Sequence, residues 1–412
     1  MQYGLIGERL SHSFSKEIHE LLAPYSYELC EIPQGELEIF LQNRSFSAVN
    51  VTIPYKKEVI PYLDEVSPVA KRLQAVNTIV NRGGKLYGYN TDYIGLRDMM
   101  LRSGVDPKGK KVLILGTGAT SRTASLVCED LGADKVVFVS RSKKEGAVTY
   151  EEARALHNDA KIIINTTPAG TYPDSYSSPL SLDAFDYLVA VFDAVYNPLR
   201  TSLTLEASAK GAHAEAGLYM LVSQAVHAVE LFLDTKIPSE RVDEVFNRII
   251  RSKENIVLVG MPSSGKTTVG KLLAQQMGRK FYDLDDEIEA HIGCTIAEFF
   301  ETHTESDFRK IETEITKNIS KNNGIIIATG GGCVLRDENV GALRSNGRLY
   351  FIDRSPQSLI PTYSRPLARK KGDIENLYRE RYGIYKQVCD VHINGDLTPD
   401  AEAEIIRKEF TV

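Results

Sequence analysis

The stretch Gly260-Met261-Pro262-Ser263-Ser264-Gly265-Lys266-Thr267 constrains this chain more than any other. An apolar run, Ile256-Val257-Leu258-Val259, precedes it, and a helical pattern, Val269-Gly270-Lys271-Leu272-Leu273-Ala274, follows. Strand, glycine-bounded loop, Lys-Thr and helix in that order make a phosphate-binding loop. Its glycines let the backbone wrap until the N–H groups point inward at an anion. Lys266 then reaches the β- and γ-phosphates of a nucleotide, and the Thr267 hydroxyl holds Mg²⁺.

At 412 residues the length points to two or three domains. With 42% hydrophobic and 25% charged residues the chain has ample material for ordinary globular cores. A net charge of -6 argues against a general nucleic-acid partner. No apolar run approaches the roughly 18 residues needed to span a bilayer, so no membrane partner is expected. The start, Met1-Gln2-Tyr3-Gly4-Leu5-Ile6, has no basic n-region, which points to a cytoplasmic protein. The five cysteines lie far apart with no Cys-x-x-Cys pair, so reduced thiols are expected, not a disulfide or zinc framework.

Short apolar runs alternate with helical patterns, the signature of an α/β architecture. Candidate strands are Tyr3–Ile6, Ala48–Thr52, Val112–Leu115, Lys135–Val139, Lys161–Ile164, Val189–Asp193, Ile256–Val259, Ile325–Ala328 and Arg348–Ile352. The polar stretch Arg251-Ser252-Lys253-Glu254-Asn255 is the best domain break, between a helical end and the strand that feeds the phosphate loop.

A second glycine turn, Gly116-Thr117-Gly118-Ala119-Thr120-Ser121, follows Lys111-Val112-Leu113-Ile114-Leu115 and opens a helix. The pattern alone is weak, but that context is what a dinucleotide pyrophosphate requires. The next strand ends in Ser140-Arg141-Ser142-Lys143-Lys144. An NAD site usually places an acid there for the ribose 2′-hydroxyl. Cations in its place suit the 2′-phosphate of NADP. Three polar clusters lie upstream: Ser11 to Ser15, Asn50 to Lys56, and Asn90-Thr91-Asp92. Together they offer the hydrogen-bond groups that a polyhydroxylated substrate needs, and a candidate Lys56–Asp92 pair.

Residues 1–250 resemble shikimate dehydrogenase. The family's motifs stand in order as Ser13-Phe14-Ser15, Asn50 through Lys56, Ala75-Val76-Asn77-Thr78, Gly88 through Asp92, Asn165 through Gly170, Asp193 through Pro198, and Gly217 through Ala225. Lys16 stands where a proline is common and Thr171 where a methionine is frequent. The resemblance implies a substrate domain (1–95 and about 216–250) and a Rossmann NADP domain (about 96–215). It implies that Ser13, Ser15, Thr52, Asn77, Asp92, Tyr196 and Gln224 contact substrate and that Lys56 and Asp92 are catalytic. It places Gly116, Gly118, Ala119, Ser121, Ser140, Arg141 and Gly217 at NADP. Ketone reduction leaves charge on oxygen, which a positioned ammonium stabilises. Whether Lys56 or Asp92 moves the proton stays open on sequence.

In the second part, Phe281-Tyr282-Asp283-Leu284-Asp285 reads as an extended segment that puts both carboxylates on one side. One would attend Mg²⁺ and the other an acceptor hydroxyl. Phe308-Arg309-Lys310-Ile311-Glu312 reads as helical, with Arg309 and Glu312 on one face, and Arg309 suits a carboxylate. Gly330-Gly331-Gly332 follows a buried strand and admits close approach of a ligand to the backbone. Residues 253–412 resemble shikimate kinase through these motifs and Arg365-Pro366-Leu367. The resemblance implies a P-loop kinase domain in which Ser263, Ser264, Gly265, Lys266, Thr267 and Thr268 bind ATP. By the same resemblance Thr267 and Asp283 serve Mg²⁺, and Asp285, Arg309, Gly330, Gly331, Gly332, Arg365 and Arg381 bind shikimate, with Lys266 and Asp285 catalytic. Thr304 replaces a common glycine. The short lid, Leu359 to Ser364, has no arginine where the family has one; Arg369, Lys370 and Lys371 either replace it or are solvated surface.

The expected whole is a fusion of two consecutive enzymes, reducing 3-dehydroshikimate with NADPH and phosphorylating shikimate with ATP. The rival readings are a dehydrogenase for quinate or another hydroxy acid beside a kinase, and one inert half kept as a ligand sensor.

Overall fold

The computed structural model describes residues 1–10, 13–359 and 371–411. Two compact units emerge, Met1–Asn197 with Thr201–Ile249, and Pro198–Arg200 with Ile250–Val412. The division falls at Ile249 and Ile250 inside a helix, Glu240–Lys253, next to the polar stretch read as the domain break, whose first residues, Arg251 to Lys253, continue that helix. Val242, Val245 and Ile249 are buried at helical spacing and hold the helix down as far as its basic end, Arg251 and Lys253. Asn255 already belongs to the next strand.

The first unit holds two sheets. One has six strands in the order Tyr27–Glu31, Tyr3–Gly7, Ala48–Val51, Thr78–Arg82, Lys85–Tyr89 and Glu65–Val66. It is mixed: Thr78–Arg82 runs antiparallel to both of its neighbours. Ile6, Val49, Val51, Ile79 and Leu86 form its core on one side, and Leu5, Ala48 and Val80 pack with Ala228 and Phe232 on the other. The long helix Leu218–Leu233 supplies that second cover.

The other sheet is parallel throughout, in the order His213–Glu215, Ala190–Asp193, Ile162–Asn165, Lys111–Leu115, Lys135–Ser140 and Ala147–Thr149. Lys111–Leu115 comes first in sequence yet lies centrally. Strand order therefore reverses beside its carboxyl end, where open α/β sheets bind ligands. The Gly116 turn begins there.

The second unit has one parallel sheet, Phe281–Asp283, Ile326–Ala328, Asn255–Val259, Gly347–Asp353 and Val391–Asn394 in order. Its inner strands read as apolar runs because helices cover both faces. Val257, Ile327 and Phe351 face one core, and Ile256, Leu258, Ile326 and Tyr350 the other. Asn255–Val259 is again central, and the phosphate loop leaves its carboxyl end. Among the described residues no helix is long and apolar enough to cross a membrane, and all five cysteines are free.

Candidate active sites

In the first unit the polar clusters converge on one cavity of about 450 Å³. Ser13, Ser15, Asn50, Thr52, Lys56, Asn77, Asp92, Tyr196 and Gln224 line it, as do Thr120 and Gly217. They arrive from several different elements. Ser15 opens the helix Ser15–Leu22, Lys56 sits in the turns after Ala48–Val51, Asp92 opens Asp92–Arg102, and Gln224 lies mid-way along Leu218–Leu233.

Lys56 Nζ donates to Asp92 Oδ2 at 2.5 Å, and both side chains are mostly shielded, 17% and 15% exposed. Such a pair is worth more than a surface ion pair because water screens it less. Asn77 Nδ2 donates to the other oxygen, Asp92 Oδ1, at 2.8 Å, so the carboxylate is gripped from both sides. Asn77 in turn accepts the Thr91 N–H at 2.7 Å, and the Thr91 hydroxyl donates to Gln224 Oε1 at 3.1 Å. One connected network thus fixes Asn77, Thr91, Asp92 and Gln224. Asn50 does a different job from a ligand contact: its amide bonds Tyr27, Asn77 and Thr78 and braces the sheet beneath the site. Ser13 Oγ accepts the Ser15 N–H at 3.2 Å. Burial pushes the Tyr196 phenol up, and a hydrogen bond with Ser13 opposes that rise.

The dinucleotide turn closes on itself. Gly116 has φ of 111°, a conformation that favours glycine. The Ser121 side chain, fully buried, takes the Gly118 N–H at 3.0 Å and meets Thr166 at 2.7 Å. Its hydroxyl shapes the turn and does not face outward. A side chain at Gly118 would project into open space, leaving its backbone accessible. Ala119 begins the helix Ala119–Asp130. Ser140 is buried at the end of the neighbouring strand, Arg141 is exposed beyond it, and Lys144 Nζ donates to Thr117 Oγ1 at 3.3 Å. One cation, Lys144, therefore stands beside the glycine turn.

In the second unit a cavity of about 610 Å³ is lined by Ser263, Gly265, Lys266, Thr267, Thr268, Asp283, Asp285, Arg309, Gly330, Gly331, Gly332 and Arg381. Ser264 is fully buried within the loop. Lys266 Nζ donates to the carbonyls of Gly260 and Met261 at 3.0 and 2.8 Å, which holds the ammonium in the middle of the loop. The Thr267 hydroxyl donates to Asp283 Oδ2 at 2.6 Å.

The extended segment expected over Asp283 to Asp285 is corrected. The strand stops at Asp283, which caps the helix Leu284–Ile292 by accepting the Asp285 N–H at 3.1 Å. Asp285, Asp286 and Glu287 crowd the first turn, where a helix favours acids. Both Asp283 and Asp285 still reach the cavity, by a strand-to-helix turn instead of strand alternation.

Arg309 and Glu312 do share a helix face. Arg309 Nη1 donates to Glu312 at 2.8 Å and Nη2 to Glu305 at 3.0 Å. Burial works against the Arg309 charge, but Glu312 and Glu305 outweigh it and raise its pKa. Burial likewise pushes the Glu312 carboxyl up, against the pull of Arg309. The triple glycine touches all of this. A Cβ at Gly330 would meet Asp285 Oδ1 at 2.6 Å, one at Gly331 would meet Pro262 at 2.6 Å, and one at Gly332 would meet Arg309 at 2.5 Å. Arg381 Nη1 donates to the Gly331 carbonyl at 3.0 Å. Three charged cavity residues were missed from sequence: Arg354, Asp286 and Glu289. The pair of acids after Asp283 was a readable helix-start signal; a lone arginine at a strand end gave none. Ser11, His12, residues 360–364, Arg365, Arg369 and Lys370 lie outside the described residues.

The shikimate kinase family model matches residues 262–410, and the shikimate dehydrogenase substrate binding domain model matches residues 5–79. A shikimate dehydrogenase (NADP(+)) of Clostridium perfringens strain SM101 is 35% identical over 265 residues, 60% of this chain and 97% of that protein. The crystal structure of shikimate dehydrogenase 1 from Peptoclostridium difficile is 37% identical, covers 60% of this chain and 98% of its own, and has a TM-score of 0.56. The Thermus thermophilus shikimate 5-dehydrogenase, solved with NADP(H) and shikimate, is 31% identical over 60% of this chain and 99% of its own, with a TM-score of 0.54. The chain belongs to the shikimate dehydrogenase family through its first part and carries a shikimate kinase domain in its second.

Proposed function

We propose that the two cavities catalyse consecutive steps of the shikimate pathway, reduction of 3-dehydroshikimate to shikimate and its phosphorylation to shikimate 3-phosphate. The observation that carries this is the pairing itself. A shielded Lys56–Asp92 couple sits among hydroxyl-binding groups in one unit, and Asp285 and Arg309 face a phosphate loop in the other. The product that the first family makes is the acceptor that the second uses.

NADP(H) fits the first cavity: Thr120, in the helix that follows the glycine turn, and Gly217, at the start of the helix Leu218–Leu233, line it together with Lys56 and Asp92. Bound along the Gly116 turn, NADPH would supply a hydride to the substrate carbonyl carbon. Lys56 Nζ stabilises the charge that develops on oxygen and delivers the proton. Asp92, held by Asn77, orients Lys56 and accepts a substrate hydroxyl. Gln224, Ser13 and Ser15 hold the remaining polar groups. Arg141 and Lys144 favour the NADP 2′-phosphate.

In the second cavity Lys266 and the loop N–H groups take the ATP phosphates. Among the described residues no cluster of three or more His, Cys, Asp or Glu side chains is set to hold a metal ion. Mg²⁺ fits instead as a phosphate-borne ion, with the oxygen donors Thr267 and Asp283 adjacent at 2.6 Å. There it would neutralise phosphate charge. Asp285 accepts the proton of the shikimate hydroxyl, and Arg309 grips the substrate carboxylate.

One assay tests the whole reading. Purified chain given 3-dehydroshikimate, NADPH and Mg·ATP should consume NADPH and release ADP. Leaving out NADPH should abolish ADP release, and adding shikimate should restore it. ADP release from 3-dehydroshikimate without NADPH would overturn the assignment of steps.

A further inference from the structure

The kinase cavity holds a cation that neither the phosphate-loop motif nor the shikimate-side motifs account for. Arg354 is the first residue beyond the strand Gly347–Asp353 and lines the cavity with Ser263, Gly265 and Thr268. Its Nη2 lies 3.7 Å from where a Cβ on Gly265 would stand, so the guanidinium rests against the outer wall of the phosphate loop. It is 22% exposed, open on the cavity side.

The side chain is pinned there. Nε donates to the Gly395 carbonyl at 2.6 Å, and Nη2 lies 3.4 Å from Glu402 Oε1. Those contacts use part of a planar five-donor fork; among the described residues the remaining N–H groups have no acceptor. Glu402 is fully buried and its Oε2 has no hydrogen-bond partner among the described residues. Burial raises its carboxyl to about 7, against the pull of Arg354, so near neutrality it does not hold the guanidinium as a full ion pair.

We propose that Arg354 is a nucleotide-binding residue whose free guanidinium edge takes a phosphate oxygen of a nucleoside di- or triphosphate on the outer side of the loop. A guanidinium matches phosphate geometry with paired N–H groups and stays charged at all working pH values. Pre-positioned by Gly395, it loses little side-chain entropy on binding. The site lies next to the loop's N–H groups, and the two would contact the anion from different directions. This charge also answers the short lid, whose sequence lacks the arginine common in the family.

The inference rests on the kinase reading, and its test separates the two. Arg354→Met should raise KM for Mg·ATP and Kd for ADP by about tenfold or more, the scale of losing a charge-assisted contact. KM for shikimate should stay within about twofold, and Kd for adenosine, which has no phosphate, should not change. Reduction of 3-dehydroshikimate in the same variant reports on folding. The structural alternative is that Arg354 only shields Glu402. Glu402→Gln removes that need, so the double variant Arg354→Met/Glu402→Gln decides. Nucleotide binding still weakened in the double variant supports a phosphate contact. Parent-like ADP affinity in the double variant overturns it, as does an equal loss for adenosine and ADP in the single one. A parent chain that binds ADP through Arg354 yet phosphorylates nothing would sink the kinase reading and leave this one standing.

Discussion

In the proposed mechanism, single side chains divide into those that touch substrate and those that aim them. Lys56 is of the first kind, and its ammonium is the nearest cation to the carboxylate that orients it. Lys56→Ala should lower kcat for 3-dehydroshikimate reduction by roughly 10²-fold or more, as for loss of a general acid. Shikimate phosphorylation in the same variant should hold, and an unchanged reduction rate would remove Lys56 from the mechanism. Arg141 is an exposed cation at the strand end where an NAD site keeps an acid. Arg141→Ala should raise KM for NADPH and leave NADH use unchanged; steady-state kinetics with both cofactors reads this directly. Gly332 is of the second kind. Its φ is not left-handed, so glycine is there for space: a methyl group would stand 2.5 Å from Arg309 Nη1 and Nη2. Arg309 has nowhere cheap to go, because Glu312 and Glu305 hold both ends of its fork. Gly332→Ala should raise KM for shikimate by about tenfold while KM for ATP moves little, since only the carboxylate grip is misaimed. Equal effects on both substrates would show a general collapse of the cavity instead.

At the level of elements, the site of the first unit depends on two helices meeting closely. Gly95 lies one turn into the helix that Asp92 opens, and it faces the helix bearing Gln224. A Cβ there would sit 2.5 Å from the Met220 carbonyl and 3.2 Å from the Gln224 nitrogen, both backbone atoms that cannot step aside. Gly95→Ala should therefore part the helices, costing about 1–3 kcal/mol of stability. It should also lower reduction kcat while sparing the kinase; thermal melts and paired assays would expose a tolerated methyl. Which elements were legible in sequence follows from how they are buried. Lys111–Leu115, Asn255–Val259 and Gly347–Asp353 sit inside parallel sheets and read as continuous apolar runs. Tyr27–Glu31, Ala147–Thr149, His213–Glu215 and Val391–Asn394 lie at sheet edges with mixed exposure, so no apolar run marks them. The acids after Asp283 signalled a helix start, and a strand period was read through them. The site residues that were found sit in local clusters with recognisable spacing. Arg354 was missed because only the fold brings it to the phosphate loop, from nearly ninety positions away in sequence.

For the whole molecule, the buried titratable groups set which unit acid attacks first. His19 is completely buried in the first unit, stacked on Tyr27 at 4.0 Å and bonded through Nδ1 to the Tyr25 hydroxyl at 2.8 Å. Burial lowers its pKa from 6.5 to about 3. The unfolded chain therefore takes up a proton below about pH 6.5 that the folded chain refuses until about pH 3. Stability is whole above 6.5 and falls as pH drops through that window, by up to about 1.4 kcal/mol per pH unit for this one group. His227 acts in the opposite sense: burial resists its charge, but Asp98 and Glu230 outweigh burial and raise its pKa, so its contribution is present in acid and lost as pH rises. In the same unit burial raises the Asp193 carboxyl to about 6, which offsets part of the His19 effect but spans a narrower pH range than the fall of His19 from 6.5 to about 3. In the second unit the raised carboxyls of Glu312 and Glu402 run against acid lability, because protonating them relieves buried charge. Reduction activity should thus fail at a higher pH than phosphorylation when the chain is acidified from pH 7 towards pH 4. His19→Phe keeps the ring stack and removes the titration, and Tyr25, which is half-buried, can turn its hydroxyl to water. That variant should hold reduction activity and the first unit's melting temperature further into acid than the parent does. Parallel acid-loss curves for parent and variant would show that some group other than His19 governs the failure.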